Sequence, residues 1–100
     1  MEQLNGGVGA GAQTFRLAKG VRFRRENFGG LMFQRPVAVI YGLTSSACRT
    51  LELCDGTRDV ESVVTQMSDE YRVSKELVAE HVNAFLGELR ARGFVELTAQ

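Results

Sequence analysis

Apolar and polar residues alternate over Val21–Glu26, which predicts a strand with Val21 and Phe23 on one face and Arg22 and Arg24 on the other. Asn27-Phe28-Gly29-Gly30 follows as a turn signal, because glycine adopts positive φ at little steric cost. Leu31–Gln34 then reads as a second strand, with Leu31 and Phe33 expected inward. Arg35–Ala38 makes the next turn, since Pro36 has no N–H to give to a central ladder. The third strand is Val39–Leu43, with Val39, Tyr41 and Leu43 on one face and Ile40 and Gly42 on the other.

Beyond Leu43 the period changes from two to 3.6. Thr44 is a good N-cap for a helix over Ser45–Leu53, whose apolar stripe closes at Leu51 and Leu53. Gly56 can take the left-handed C′ position directly after its end, and Asp59 can cap the next helix. That second helix runs over Val60–Tyr71, with Val60, Val63, Val64 and Met67 at i, i+3, i+4 and i+7. Ser74 caps a third and longer helix that reaches about Arg92, where Gly93 stops it. Its apolar positions Leu77, Val78, Val82, Phe85, Leu86 and Leu89 cover more of its circumference than one core contact needs. Phe94–Leu97 forms a short final strand or packs on the helices. The fold class is α+β: a winged-helix-like, three-stranded antiparallel meander packed on a three-helix bundle. Residues 1–14, with Asn5-Gly6-Gly7-Val8-Gly9-Ala10-Gly11-Ala12, have almost nothing to bury and read as a flexible tail. The domain itself is expected over residues 15–97.

Composition excludes several classes. One hundred residues with 44% hydrophobic content make one small globular domain. No apolar run approaches the roughly 20 residues that cross a bilayer, and the N-terminus lacks the pattern of a secretory signal, so no membrane partner is expected. Cys48 and Cys54 are too few and too awkwardly spaced for a disulfide framework or a zinc site, and read as small core residues in a reducing cytoplasm. The single histidine, His81, has neither a cysteine nor a second histidine at helical spacing, so it reads as a surface or groove-lining side chain. No phosphate loop, dinucleotide fingerprint or Ser/His/Asp arrangement is present, so the chain reads as a non-enzyme without metal or cofactor.

Net charge is zero, but residues 1–50 set seven basic side chains against Glu2 and Glu26, a balance of +5, while residues 51–100 carry −5. Two solvated faces account for this, as would an acidic partner or self-association between unlike halves. Two binding readings follow. As a winged-helix DNA-binding transcriptional regulator, the chain would need a basic reading helix. The third helix instead balances Lys75, Arg90 and Arg92 against Glu76, Glu80 and Glu88, which argues against a nucleic-acid partner. The other reading is peptide capture. In a sequential meander, Val39–Leu43 is an edge strand with unpaired N–H and C=O groups, which an extended peptide would satisfy. The surplus apolar surface of the third helix would wall such a groove, and Gly42 permits close backbone approach. The same free edge offers a route to a homodimer.

Arg25-Glu26-Asn27-Phe28-Gly29-Gly30-Leu31-Met32-Phe33, then Tyr41-Gly42-Leu43-Thr44, then Leu51-Glu52-Leu53-Cys54-Asp55-Gly56-Thr57-Arg58-Asp59-Val60, resemble the PqqD-like family of RiPP precursor peptide recognition elements. The versions associated with radical SAM/SPASM maturases are the most similar, and Val82, Phe85, Leu86, Leu89 and Gly93 fit the pattern of the family's third helix. The resemblance covers about residues 15 to 97. It implies a non-catalytic peptide chaperone that binds the leader of a ribosomally synthesised precursor peptide and presents it to a modifying enzyme, here a radical SAM/SPASM maturase. It further implies that the leader adds as a strand beside Val39, Ile40, Tyr41, Gly42 and Leu43. The helix wall would then come from Leu77, Val78, His81, Val82 and Phe85. The chain departs from the family at Ala38, near which a turn glycine is common, at Thr44, often Asn, and at His81, often acidic.

Overall fold

The computed structural model describes residues 11–35 and 39–98. The chain enters through β1 (Phe15–Leu17), then makes a meander of β2 (Val21–Glu26), β3 (Gly29–Gln34) and β4 (Val39–Leu43). Helices α1 (Ser45–Leu53), α2 (Val60–Tyr71) and α3 (Lys75–Ala91) follow, and β5 (Val95–Leu97) ends the fold. Two sheets result: a three-stranded antiparallel one in the order β2-β3-β4, and a ribbon of β1 against β5. This is the α+β arrangement expected, though its likeness to a winged helix is loose. The Pro36 turn and the first ten residues of the anticipated tail lie outside the described residues. Thr14 already bridges Asp59, and Gln13 accepts from the Val60 N–H at 2.8 Å, so α2 is tied to the strand that enters the domain.

The helix boundaries follow from their caps. Thr44 Oγ1 accepts from the Ala47 N–H at 3.1 Å, the Asp59 carboxylate from Ser62 N–H at 2.9 Å, and Ser74 Oγ from Leu77 N–H at 3.3 Å. Threonine thus makes the cap where the family often has asparagine. At the other end of α1 the backbone leaves the helix at Cys54, so Gly56, at φ +91°, comes one position later than the first left-handed site. Asp55 fills the gap by accepting from the N–H and hydroxyl of Thr57 and from Arg58. α2 ends on Arg72 in the left-handed region, at φ 58°. α3 ends at Gly93, whose positive φ lets Phe94 N–H return to the Leu89 carbonyl at 2.9 Å.

One expectation is reversed. Leu31 and Phe33 were to face the core; instead Met32 is fully buried, and Leu31 and Phe33 are half-buried on the opposite face. The register aligns Phe23, Met32 and Tyr41 across the sheet, so these three share the inner face. The cause lies at Gly29 and Gly30, which belong to the strand and not only to the turn. A Cβ on Gly30 would stand 2.3 Å from Cys48 Sγ, so α1 packs against bare backbone there. Gly30 must therefore face inward, and the alternation places Met32 inward after it. Gly29, at φ +137°, leaves no room either: its Cβ would fall 2.2 Å from the Leu43 carbonyl oxygen.

The core is one cluster reaching from Phe15 and Val21 through Met32, Leu43 and Cys48 to Val63, Leu86, Leu89 and Phe94. Both cysteines are free and buried within it, and burial pushes the Cys54 thiol up to about 11. Outside the core, Arg49 on α1 forks onto Glu70 on α2, at 2.9 and 2.6 Å, and also reaches Glu52 at 3.2 Å. Glu52 in turn accepts from Arg25 on β2 at 2.8 Å. This chain of charges joins β2, α1 and α2, and the hydrogen bonds from Arg49, then Gln66, hold the Glu70 carboxyl at about 2.

Two outcomes follow. Gly30→Ala will cost about 1–3 kcal/mol in urea unfolding. Adding Cys48→Ala will return only part of that, because the Arg24 carbonyl oxygen also lies 2.8 Å from the new Cβ; full recovery would contradict the packing described. A carboxyl with a depressed folded pKa stabilises fully above its ordinary value of 4.5 and loses that contribution as pH falls towards about 2. Thermal melts will therefore show Tm falling across that window. Glu70→Gln will melt lower at neutral pH and fall less steeply on acidification, with the remaining slope left to Glu52, Asp55 and Asp59, whose carboxyls are also lowered, chiefly by hydrogen bonds from Arg25, Thr57 and Ser62 respectively. Parallel slopes would show the network to be inert.

Candidate functional site: an open strand edge beside an apolar groove

β4 is hydrogen-bonded on one side only. Its register runs Val39 against Gln34, Ile40 against Phe33, Tyr41 against Met32, Gly42 against Leu31 and Leu43 against Gly30. Among the described residues no other strand of the sheet follows it, so there its far side carries unpaired backbone groups. Leu43 anchors the strand in the core, and Tyr41 fixes it to the end of α3. The Tyr41 ring meets Phe94 edge-to-face at 5.5 Å, its hydroxyl donates to Glu88 at 3.2 Å, and the Arg92 guanidinium lies over the ring at 5.5 Å. Burial, and then the bond to Glu88, raises the Tyr41 pKa. Ile40 and Gly42 point to the opposite, solvent face, as their alternation required, and Ile40 is 71% exposed.

From Glu88 towards its N-terminus, α3 presents Phe85, then His81 and Val82, then Leu77 and Val78, one turn at a time. These five side chains line a groove of about 390 Å³. All five residues expected on the helix wall thus lie together. The opposite wall was not anticipated: it comes from Thr44, Ser46, Ala47 and Thr50 at the start of α1, with Met67 and Tyr71 of α2 behind. Ile40, Tyr41, Gly42 and Leu43 do not line it; the strand reaches the groove through Thr44, the residue directly after Leu43. The signal for the missed wall was present in Thr44-Ser45-Ser46-Ala47, a run of small side chains that leaves space opposite a helix with surplus apolar surface.

The groove is suited to holding an apolar side chain. The Thr50 hydroxyl is already engaged, donating to the Ser46 carbonyl at 2.9 Å and lying 3.2 Å from Met67 Sδ, while Leu77 at the rim remains 46% exposed. His81 is exposed on the same wall, and no grouping of metal-ligating side chains is found among the described residues.

A family model described as "Coenzyme PQQ synthesis protein D (PqqD)" matches residues 31–95, the stretch that holds the edge strand, the groove and α1, α2 and α3. The chain belongs to the PqqD family. No curated protein matches it. Among solved structures, TbiB1 in complex with the TbiA(beta) leader peptide superposes with a TM-score of 0.73 at 19% identity, covering 85% of this chain and 99% of that one. Lasso peptide synthetase B1 complexed with the leader peptide gives 0.73 at 16% identity, over 82% and 96%. The PqqD truncation of Methylobacterium extorquens PqqCD, a stand-alone RiPP recognition element, gives 0.74 at 20% identity, over 86% and 92%. At these identities the likeness is one of fold, and this PqqD-family chain spans nearly the whole of each neighbour.

Proposed function

We propose that this chain is a peptide-recognition domain that captures the leader of a ribosomally synthesised precursor by strand addition to β4 and presents the rest of the precursor to a modifying enzyme. The observation that carries this reading is the open edge of β4 lying directly beside an apolar groove. A peptide laid along Val39–Leu43 would be held for roughly 16 Å at about 3.3 Å per residue. Main-chain hydrogen bonds supply affinity without regard to sequence, and alternate side chains turned towards α3 supply selection. The groove walled by Leu77, Val78, His81, Val82 and Phe85 accepts those side chains. Family membership and the two neighbours solved with leader peptides support the same reading.

The domain itself performs no catalysis on this account and works in the cytoplasm, and the enzyme it serves is a radical SAM/SPASM maturase. A homodimer formed through β4 would occupy the edge the peptide needs, so the peptide-binding form is the monomer. The DNA-binding alternative gains nothing from the fold: α3 buries Val78, Val82, Leu86 and Leu89, and sets only Lys75 and Arg90 against Glu76, Glu80 and Glu88.

Titration with a labelled leader of its precursor peptide tests the reading. Leu77→Asp will weaken binding by roughly tenfold or more, since burying a leucine is worth about 1.5–3 kcal/mol. Because Leu77 is already half exposed, the same variant will change unfolding stability by no more than about 0.5 kcal/mol. Unaltered affinity in Leu77→Asp would remove the groove from the account.

A further inference from the structure

The strand register that places Phe23, Met32 and Tyr41 inward places two other rows on the outside of the sheet: Arg22, Phe33 and Ile40, and Arg24, Leu31 and Gly42. α1 packs on the inner face, so among the described residues no helix covers these rows. The large apolar side chains left most exposed divide into two pairs. Tyr71 and Leu77 belong to the groove, whereas Ile40, on this outer face, and Phe28, 67% exposed at the β2–β3 turn, do not. Beside Phe33 a depression of about 450 Å³ is lined by Gly20, Arg22, Phe23, Arg24, Phe33 and Arg35. Of its three arginines, Arg24 pairs with Glu26, while no ion pair among the described residues engages Arg22 or Arg35.

We propose that this outer face is a second docking surface, taking a folded protein that presents carboxylates around an apolar centre. On the functional reading above, on which this rests, that protein is the peptide-modifying enzyme. Charge complementarity fixes the partner's chemistry: guanidiniums ringing aliphatic and aromatic side chains match carboxylates around an apolar knob, and arginine and aromatic residues dominate interface energetics. Phe28 and Phe33 are rings a base can stack on, but aliphatic Leu31 and Ile40 fill the rows between the arginines and Glu26 offsets part of the positive charge, so the face suits an apolar knob better than a phosphate backbone. Gly42, where an added Cβ would meet nothing within 4 Å, keeps the face flat and lets a partner approach closely. The two sites are compatible. A peptide added to β4 would extend the sheet in its plane and leave this face clear, so the docked enzyme would sit next to the captured peptide.

The test uses the full chain with purified modifying enzyme and labelled leader peptide. Combined Arg22→Glu and Arg35→Glu should weaken the enzyme's Kd by roughly tenfold or more and reduce the salt dependence of its association rate, with leader affinity unchanged within about twofold. The milder Arg22→Gln and Arg35→Gln pair should give an intermediate loss, and guards against misfolding of the reversed variant. An enzyme that binds the reversed variant as well as the native chain, or binds neither, overturns the proposal. So does a result in which the substitutions abolish binding of an RNA or DNA 20-mer, or dissociate a dimer of this chain, while enzyme binding stands. Failure of the native chain to bind leader would instead count against the function proposed for β4.

Discussion

The close approach of α1 to the sheet, possible because Gly30 has no side chain for Cys48 to strike, decides which parts of the meander are covered and which stay open. α1 sits over β2 and β3, and the Cys48 thiol donates to the Gly29 carbonyl at 3.3 Å. With the helix drawn in at that point, Met32 enters the core and Tyr41 reaches the end of α3. β4 is thereby held from one face and from one side. The remaining side faces out next to the helix groove. Had a bulkier residue stood at Gly30, α1 would have to ride higher and the wall it lends to the groove would move with it.

An unpaired edge is a hazard in most small sheets, because it recruits whatever strand comes near. Here its geometry is restrictive. Tyr41 and Leu43 fix the inner face of β4, so on the proposed reading an incoming strand would meet a held template and turn its inward side chains towards α3. The groove of about 390 Å³ offers that room, with Thr44, Ser46 and Ala47 small enough to leave it. Backbone pairing alone would accept any extended segment; the groove makes the choice depend on side chains. The sheet's opposite face, with Ile40 and Phe33 set among arginines, has different chemistry and no access to the groove.

Much of this was legible in the residues. Thr44, Asp59 and Ser74 located the starts of α1, α2 and α3, because a side-chain cap is a local interaction that needs no knowledge of the rest of the fold. The edge position of Val39–Leu43 followed from sequential strands. That α3 walls a groove followed from an apolar arc too wide for one core, while the choice of Leu77, Val78, His81, Val82 and Phe85 followed from the family resemblance. What escaped was set by contacts between distant elements. Leu31 and Phe33 read as inward because Gly29-Gly30 reads locally as a turn, and only the packing of Cys48 shows that these glycines begin the strand. β1 is three residues long and gains its identity from Val95–Leu97, some eighty positions away. The α1 wall was hidden because small residues at a helix start carry no apolar signal; their contribution is empty space.

Amide hydrogen exchange along β4 tests the central claim most directly. In the chain alone, the N–H groups of Val39–Leu43 that face away from β3 should exchange quickly while those bonded to β3 are protected. Added leader peptide should slow the outward set selectively, together with Leu77 and His81 on the α3 wall. Protection of every β4 amide before peptide is added, or none gained after saturation, would contradict the account, because the edge would then be either closed already or unused.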